Sequence, residues 1–94
     1  MVEYKKGYFA KSKAGHDKGK TYVIIAGTLE TGTDDFVLVT DGDLKKIDCP
    51  KRKRTKHIQV VHQCDPQLLK KLQDREEIRD EDIKRAIKTY ISHE

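Results

Sequence analysis

Aromatic side chains are scarce in this chain of 94 residues: four tyrosines, two phenylalanines and no tryptophan. That leaves little material for a ligand cavity or for a row of base-stacking platforms. There are only two cysteines, Cys49 and Cys64, too few and too far apart for a disulfide framework, so reduced thiols and a cytosolic setting are the expectation. Nowhere do 18 apolar residues run together, and Met1–Phe9 has no apolar core of a signal peptide, so no membrane partner is expected. Apolar residues make up 35% of the chain and charged ones 38%, which implies a small core under a densely ionic surface. A single domain of this length buries roughly 60–65% of its unfolded surface.

What the chain does have is positive charge in one place. Residues 1–62 carry 13 Lys/Arg against 8 Asp/Glu, a balance of +5, whereas residues 63–94 carry 7 against 8, a balance of −1. Lys45–Lys56 alone holds seven basic residues against Asp48. Such asymmetry points to a polyanionic partner for the first part only.

Gly7–Ser12 and Tyr22–Gly27 are β-like runs joined by Ala14-Gly15-His16-Asp17-Lys18-Gly19-Lys20. This predicts a hairpin with a positive tip, where Gly15 and Gly19 suit positive φ or close approach of a ligand to bare backbone. Tyr8, Ala10 and Ser12 share one strand face, with Phe9 on the other. Lys20–Leu29 is the clearest strand, apolar on both faces and therefore central, covered on both sides or bent around a barrel corner. Glu30–Asp35 reads as a polar loop, Phe36–Thr40 as a strand stopped by the Asp41-Gly42 turn, Leu44–Cys49 as a strand ended by Pro50, and His57–Val61 as the last strand. Phe9, Tyr22 and Phe36 are expected in the core. Five short strands in about 60 residues predict a small, strongly bent barrel.

From residue 65 the period becomes helical. Asp65-Pro66 caps a helix with Leu68, Leu69 and Leu72 on one face. Asp80 opens a second, with Glu81 and Asp82 in its first turn and Ile83, Ala86, Ile87, Tyr90 and Ile91 as its apolar stripe. Residues 1–62 are thus expected to form the barrel, with the basic segment 45–56, and residues 63–94 a helical extension packed on the barrel or on a partner.

Residues 7–25, G-Y-F-A-K-S-K-A-G-H-D-K-G-K-T-Y-V-I-I, resemble the KOW motif of ribosomal proteins and transcription elongation factors. Val39-Thr40-Asp41-Gly42 and the basic stretch through Lys56-His57-Ile58 are similar to large-subunit ribosomal proteins of the L-fourteen-e type and their small bacterial relatives. The resemblance spans about residues 5–62. It implies a mostly β fold, a KOW-type SH3-like barrel followed by two short helices. It also implies binding of structured RNA, ribosomal RNA above all, in a cytoplasmic, ribosome-associated protein of translation, with Gly15, Gly19 and Lys20 on the motif's loop.

Read from chemistry, contact with phosphate needs cations and backbone that can come close. The candidates are Lys11, Lys13, Gly15, His16, Lys18, Gly19 and Lys20 around the tip, and Lys45, Lys46, Lys51, Arg52, Lys53, Arg54, Lys56 and His57 in the later segment. Tyr4, Tyr8, His16 and His57 are the residues able to stack on an unpaired base, so recognition by RNA shape and backbone is expected over base reading. Residues 14–21 fit a relaxed phosphate-binding-loop pattern, but a strand follows where that class needs a helix. Cys49, His57, His62 and Cys64 lack the close Cys-x-x-Cys pair of zinc modules. No catalytic constellation stands out, and neither an enzyme, a cofactor nor a small-molecule substrate is expected. The competing class is an SH3-like docking module of a transcription or translation complex, with the helical tail meeting other proteins.

Overall fold

A computed structural model describes residues 2–93. At its centre lies the run with two apolar faces, β2 (Thr21–Ala26), between β1 (Phe9–Ser12) and β3 (Phe36–Thr40). β4 (Lys51–Arg54) lies outside β3, and β5 (Ile58–Val61) outside β1, so the sheet order is β4-β3-β2-β1-β5. Every neighbouring pair is antiparallel, with Phe9 opposite Val23, Ser12 opposite Ile58 and Val39 opposite Lys51.

The sheet is curled but not closed. Its two edge strands follow each other in sequence, separated only by the 3-10 turn Thr55–His57. Flat, they would stand four strand spacings apart, about 19 Å. A three-residue 3-10 turn advances only about 6 Å. The edges therefore have to bend toward each other. Inside the curl, alternate residues Ala10, Tyr22, Ile24, Val37, Val39 and Ile58 make one core. On the outer face Phe9 and Val23 make a second core with Leu68, Ile83 and Ala86.

That outer core is supplied by the tail. α1 (Thr28–Thr31) is one turn, entered where the Gly27 amide donates to Glu30 Oε1 at 2.7 Å. α2 (Pro66–Gln73) starts where the Asp65 carboxylate accepts the amides of Gln67 and Leu68, at 3.2 and 3.1 Å. α3 (Asp80–Ser92) begins where Asp82 accepts the Arg79 amide at 2.9 Å, and the same carboxylate ties α2 to α3 through Lys71 at 2.9 and 3.0 Å. Tyr90 stacks on Phe9 with ring centroids 4.5 Å apart, while Ile91, at the end of the stripe, is 51% exposed. Among the described residues no helix is long and apolar enough to cross a membrane.

Three expectations need correcting. Leu44–Cys49 is not a strand; the Ile47 amide instead donates to Asp80 Oδ1 at 2.9 Å, and the fourth strand comes later, within Lys51–Arg54. The loop expected from Glu30 is entered through α1, because the β2–β3 ladder breaks register between Ile24 and Ala26 and the chain turns at Gly27. Phe36 is only half buried, on the outer face beyond the second core, whereas Phe9 and Tyr22 are core residues.

The Asp41-Gly42 turn docks against the start of α3. Gly42 has φ +76°, and a Cβ there would lie 2.4 Å from the Asp80 carbonyl oxygen. Gly19 has φ +89° with open space around it. Gly19→Ala should therefore cost about 1–2 kcal/mol of backbone strain. Gly42→Ala should cost about 1–3 kcal/mol more from overlap. Urea denaturation of the two variants checks the order, and equal costs would show that the turn is not clamped against α3.

Candidate nucleic-acid interface

The hairpin tip is held shut at its base, where the Gly19 amide donates to the Ser12 carbonyl at 2.8 Å and the Ser12 amide to the Lys20 carbonyl at 3.0 Å. Two tight turns follow inside it, Lys18 amide to Gly15 carbonyl (3.2 Å) and Lys20 amide to Asp17 carbonyl (2.9 Å). Gly15 and Gly19 take φ of +85° and +89°, as the tip requires. Lys13, His16 and Lys18 are left exposed, while Asp17 folds inward.

Asp17 is the anchor. Its carboxylate accepts from Ser12 Oγ (2.9 Å), Tyr22 Oη (2.7 Å), Lys51 Nζ (3.0 Å) and Lys53 Nζ (2.9 Å). Lys53 also donates to Ser12 Oγ at 3.0 Å and is 8% exposed. Burial alone would push the Asp17 carboxyl up; hydrogen bonds from Tyr22, Lys53, Lys51 and Ser12 outweigh it and hold the group far below the usual carboxylate range. Burial, then the Asp17 charge, pushes the Tyr22 phenol up.

A second acid does the same nearby. Asp41 pairs with Lys20 at 2.5 Å and accepts the amides of Asp43 (2.9 Å) and Lys45 (2.8 Å). Against the opposing effect of burial, Lys20 and those two amides hold its carboxyl down. The Thr40 hydroxyl donates to the Lys45 carbonyl, fixing the turn from its other side.

These two carboxylates bring distant candidates together. Lys20 is joined to the turn bearing Lys45, and the tip is joined to Lys51 and Lys53 of β4. The Lys13 amide donates to the His57 carbonyl at 2.8 Å, which places Lys56 and His57 beside the tip as well. Within this group Lys53 is buried and Lys20 and Lys51 face carboxylates, so these three cations hold the structure together. Lys13, Lys18, Lys45 and Lys56 are exposed, and among the described residues no carboxylate pairs with them. Lys46 is exposed next to Ile47, on the side of the turn that meets α3.

Strand alternation keeps the remaining candidates apart. Arg52 and Arg54 point from β4 to the face opposite Lys51 and Lys53, with the Arg52 guanidinium 4.0 Å from the centre of the Phe36 ring. Lys11 lies on the outer face of β1, its ammonium 5.8 Å from the Tyr90 ring centre. The basic run thus serves two faces instead of one. Among the described residues no group of three or more His, Cys, Asp or Glu side chains is placed to hold a metal ion.

Asp17, Ser12 and Tyr22 had not been singled out from the sequence as a polar site. The signal present is a lone acid between Gly15 and Gly19, in a turn flanked by lysines. Compared with family models and with curated proteins, the sequence matches none.

Removing the anchor strands a buried ammonium. Asp17→Ala should cost about 3–5 kcal/mol in denaturant unfolding. Because Asp17 and Asp41 titrate lower in the folded chain than in the unfolded one, their stabilisation is complete above the unfolded aspartate value of about 4 and fades as pH falls below it. Thermal midpoints should therefore drop between about pH 4 and pH 2, with a shallower slope in Asp17→Asn. A slope unchanged by that substitution would mean that the carboxylate does not anchor the tip.

Proposed function

We propose that this chain is a non-catalytic RNA-binding module of KOW type, an SH3-like barrel left open along one seam, acting on ribosomal RNA in the cytoplasm. The observation that carries the reading is the gathering of exposed Lys13, Lys18, Lys45 and Lys56, none paired with a carboxylate among the described residues, around a glycine-bearing tip by the Asp17 and Asp41 carboxylates and the Lys13–His57 backbone bond. A cluster of mobile ammonium groups around accessible backbone suits a phosphate chain. The likeness of residues 7–25 to the KOW motif selects RNA from among polyanions and the ribosome as its setting. The strand order, with β5 back on β1 and a 3-10 turn joining the two edges, agrees with an SH3-like barrel. Docking of proteins through the tail is the weaker reading, because Ile83 and Ala86 are fully buried and Tyr90 is stacked on Phe9.

Fluorescence anisotropy with a folded ribosomal RNA fragment tests this. Each phosphate contact contributes a log–log salt slope of about −0.7 to −0.9. Lys13→Glu/Lys18→Glu/Lys56→Glu should lower affinity about 100-fold or more and flatten the slope by about 2 to 3. The same charge change beside α2 and at the entry to β1, Lys5→Glu/Lys6→Glu/Lys70→Glu, should leave affinity within about threefold, since those exposed charges lie at the end of β1 away from the tip and screening weakens them. Equal losses in the two triple variants would reduce the effect to net charge, and binding indifferent to salt would overturn the reading.

The ribosomal setting has its own test, sedimentation of cell extract through sucrose gradients. Co-migration with large subunits is expected, kept at high salt by an integral component and lost by a peripheral one. Absence from subunit fractions at low salt would remove the ribosome from the proposal.

A further inference from the structure

The outer face of β3 and β4 carries an arrangement that attraction to phosphate does not require. Phe36 and Leu38 face outward on β3, opposite Arg54 and Arg52. The Arg52 guanidinium is held over the Phe36 ring, and Asp35, Phe36, Arg52 and Arg54 line a cleft of about 110 Å³. The Asp35 backbone is fixed from both sides, its amide donating to Thr33 Oγ1 (3.2 Å) and its carbonyl accepting from the Thr55 amide (3.0 Å). Its carboxylate is exposed, and among the described residues nothing donates to it, although two guanidinium groups line the same cleft. A carboxylate here repels phosphate, so a surface serving only an RNA backbone gains nothing from it.

We propose that this cleft is a subsite for one unpaired guanine base, stacked on Arg52 and read by Asp35 and Arg54. The inference rests on the RNA-binding reading and adds base recognition to it. A guanidinium supported by an aromatic ring offers a base a cationic stacking surface. Guanine alone presents two adjacent donors, N1–H and the 2-amino group, on one edge and two acceptors, O6 and N7, on another. The first pair suits the two oxygens of Asp35, and the second suits the forked donors of Arg54. Adenine turns its N1 acceptor toward the carboxylate, and pyrimidines have no N7. A cleft of this size receives the edge of one ring system and leaves sugar and phosphate outside, within reach of the flanking cations.

The test uses the full chain and three heptaribonucleotides, UUUGUUU, UUUAUUU and the same sequence with central inosine, titrated by anisotropy over one shared series of salt concentrations and compared at equal salt. The guanine oligomer should bind about tenfold or more tighter than the adenine one. Inosine, which lacks the 2-amino group, should fall between. Asp35→Asn should bring guanine and adenine to within about twofold while the adenine oligomer binds as before or better, because one repulsive charge is gone. Arg52→Lys keeps the charge and should preserve the salt slope but lower affinity for the guanine oligomer. Equal, salt-dependent binding of all three oligomers by the parent chain would overturn the guanine subsite and leave RNA binding standing. Guanine preference surviving Asp35→Asn would also overturn it, by placing base reading elsewhere. No binding of any oligomer or of ribosomal RNA would remove both readings. Thermal unfolding of each variant confirms that it is folded, and the exposed Asp35 carboxylate holds no contact whose loss would unfold the chain.

Discussion

A single carboxylate, Asp17, holds strands together that do not touch as neighbours in the sheet. It sits on the β1–β2 tip, while Lys51 and Lys53 come from β4, with β2 and β3 lying between β1 and β4 in the ladder. The bonds therefore cross the inside of the curl. Taking a carboxylate and an ammonium out of water is unfavourable, and the pair is tolerated only because the remaining bonding capacity is filled by the Ser12 and Tyr22 hydroxyls. One end of the inner core is thus polar and fully satisfied, with no buried side-chain nitrogen or oxygen left without a partner among the described residues. Directional bonds fix a position in a way that apolar contact does not, and here the position fixed is that of the tip relative to the basic strand.

The curl divides labour between the two sheet faces. Its concave side is filled from within by the alternating residues of all strands, except where Lys51 and Lys53 replace apolar side chains on β4. Its convex side is covered over β1 and β2 by α2 and α3, through Phe9, Val23, Leu68, Ile83 and Ala86. Beyond that cover, the convex face of β3 and β4 carries Leu38, Phe36, Arg52 and Arg54. Four consecutive basic residues on an edge strand also discourage pairing with another chain, since like charges would oppose each other there. The same residues are then at hand for a ligand of opposite sign.

Much of this architecture was legible in the sequence. Tyr22–Ala26 read as a central strand because both of its faces are apolar, and the structure fills one from inside the curl and one from the helices. Asp65-Pro66 and Asp80–Asp82 marked both helix starts, because capping depends on residues adjacent in sequence. The fourth strand was misplaced for a physical reason. Lys-Arg-Lys-Arg has no polarity contrast between alternate positions, so period-two reading is blind to it, and only the ladder with β3 makes it a strand. Leu44–Cys49 had apolar Leu44, Ile47 and Cys49 ahead of Pro50, but Asp41 and Asp80 take the amides of Lys45 and Ile47. The Asp80 bond reaches across 33 residues, and such competition for a backbone donor leaves no local trace. The candidate site was legible as a list of cations and illegible as a surface, because the partners that sort them, Asp17 and Asp41, look like ordinary turn residues.

That sorting bears on how charge should be counted. The chain has 20 Lys and Arg against 16 Asp and Glu, a formal excess of +4. Field at a distance follows that small number, whereas affinity at contact follows which cations keep their water and their freedom to move. Lys53, at the centre of the most basic run, has neither. Its neighbours Arg52 and Arg54 remain exposed because of β-strand alternation alone. Two acids that subtract from the formal excess thereby raise the local density of exposed cations, since the segments they join also carry Lys13, Lys18 and Lys45, which have no carboxylate partner among the described residues. A carboxylate enclosed by lysines in a basic protein in this sense shapes the surface proposed to meet RNA: it offers no contact to a ligand, yet it fixes where the segments bearing Lys13, Lys18 and Lys45 meet.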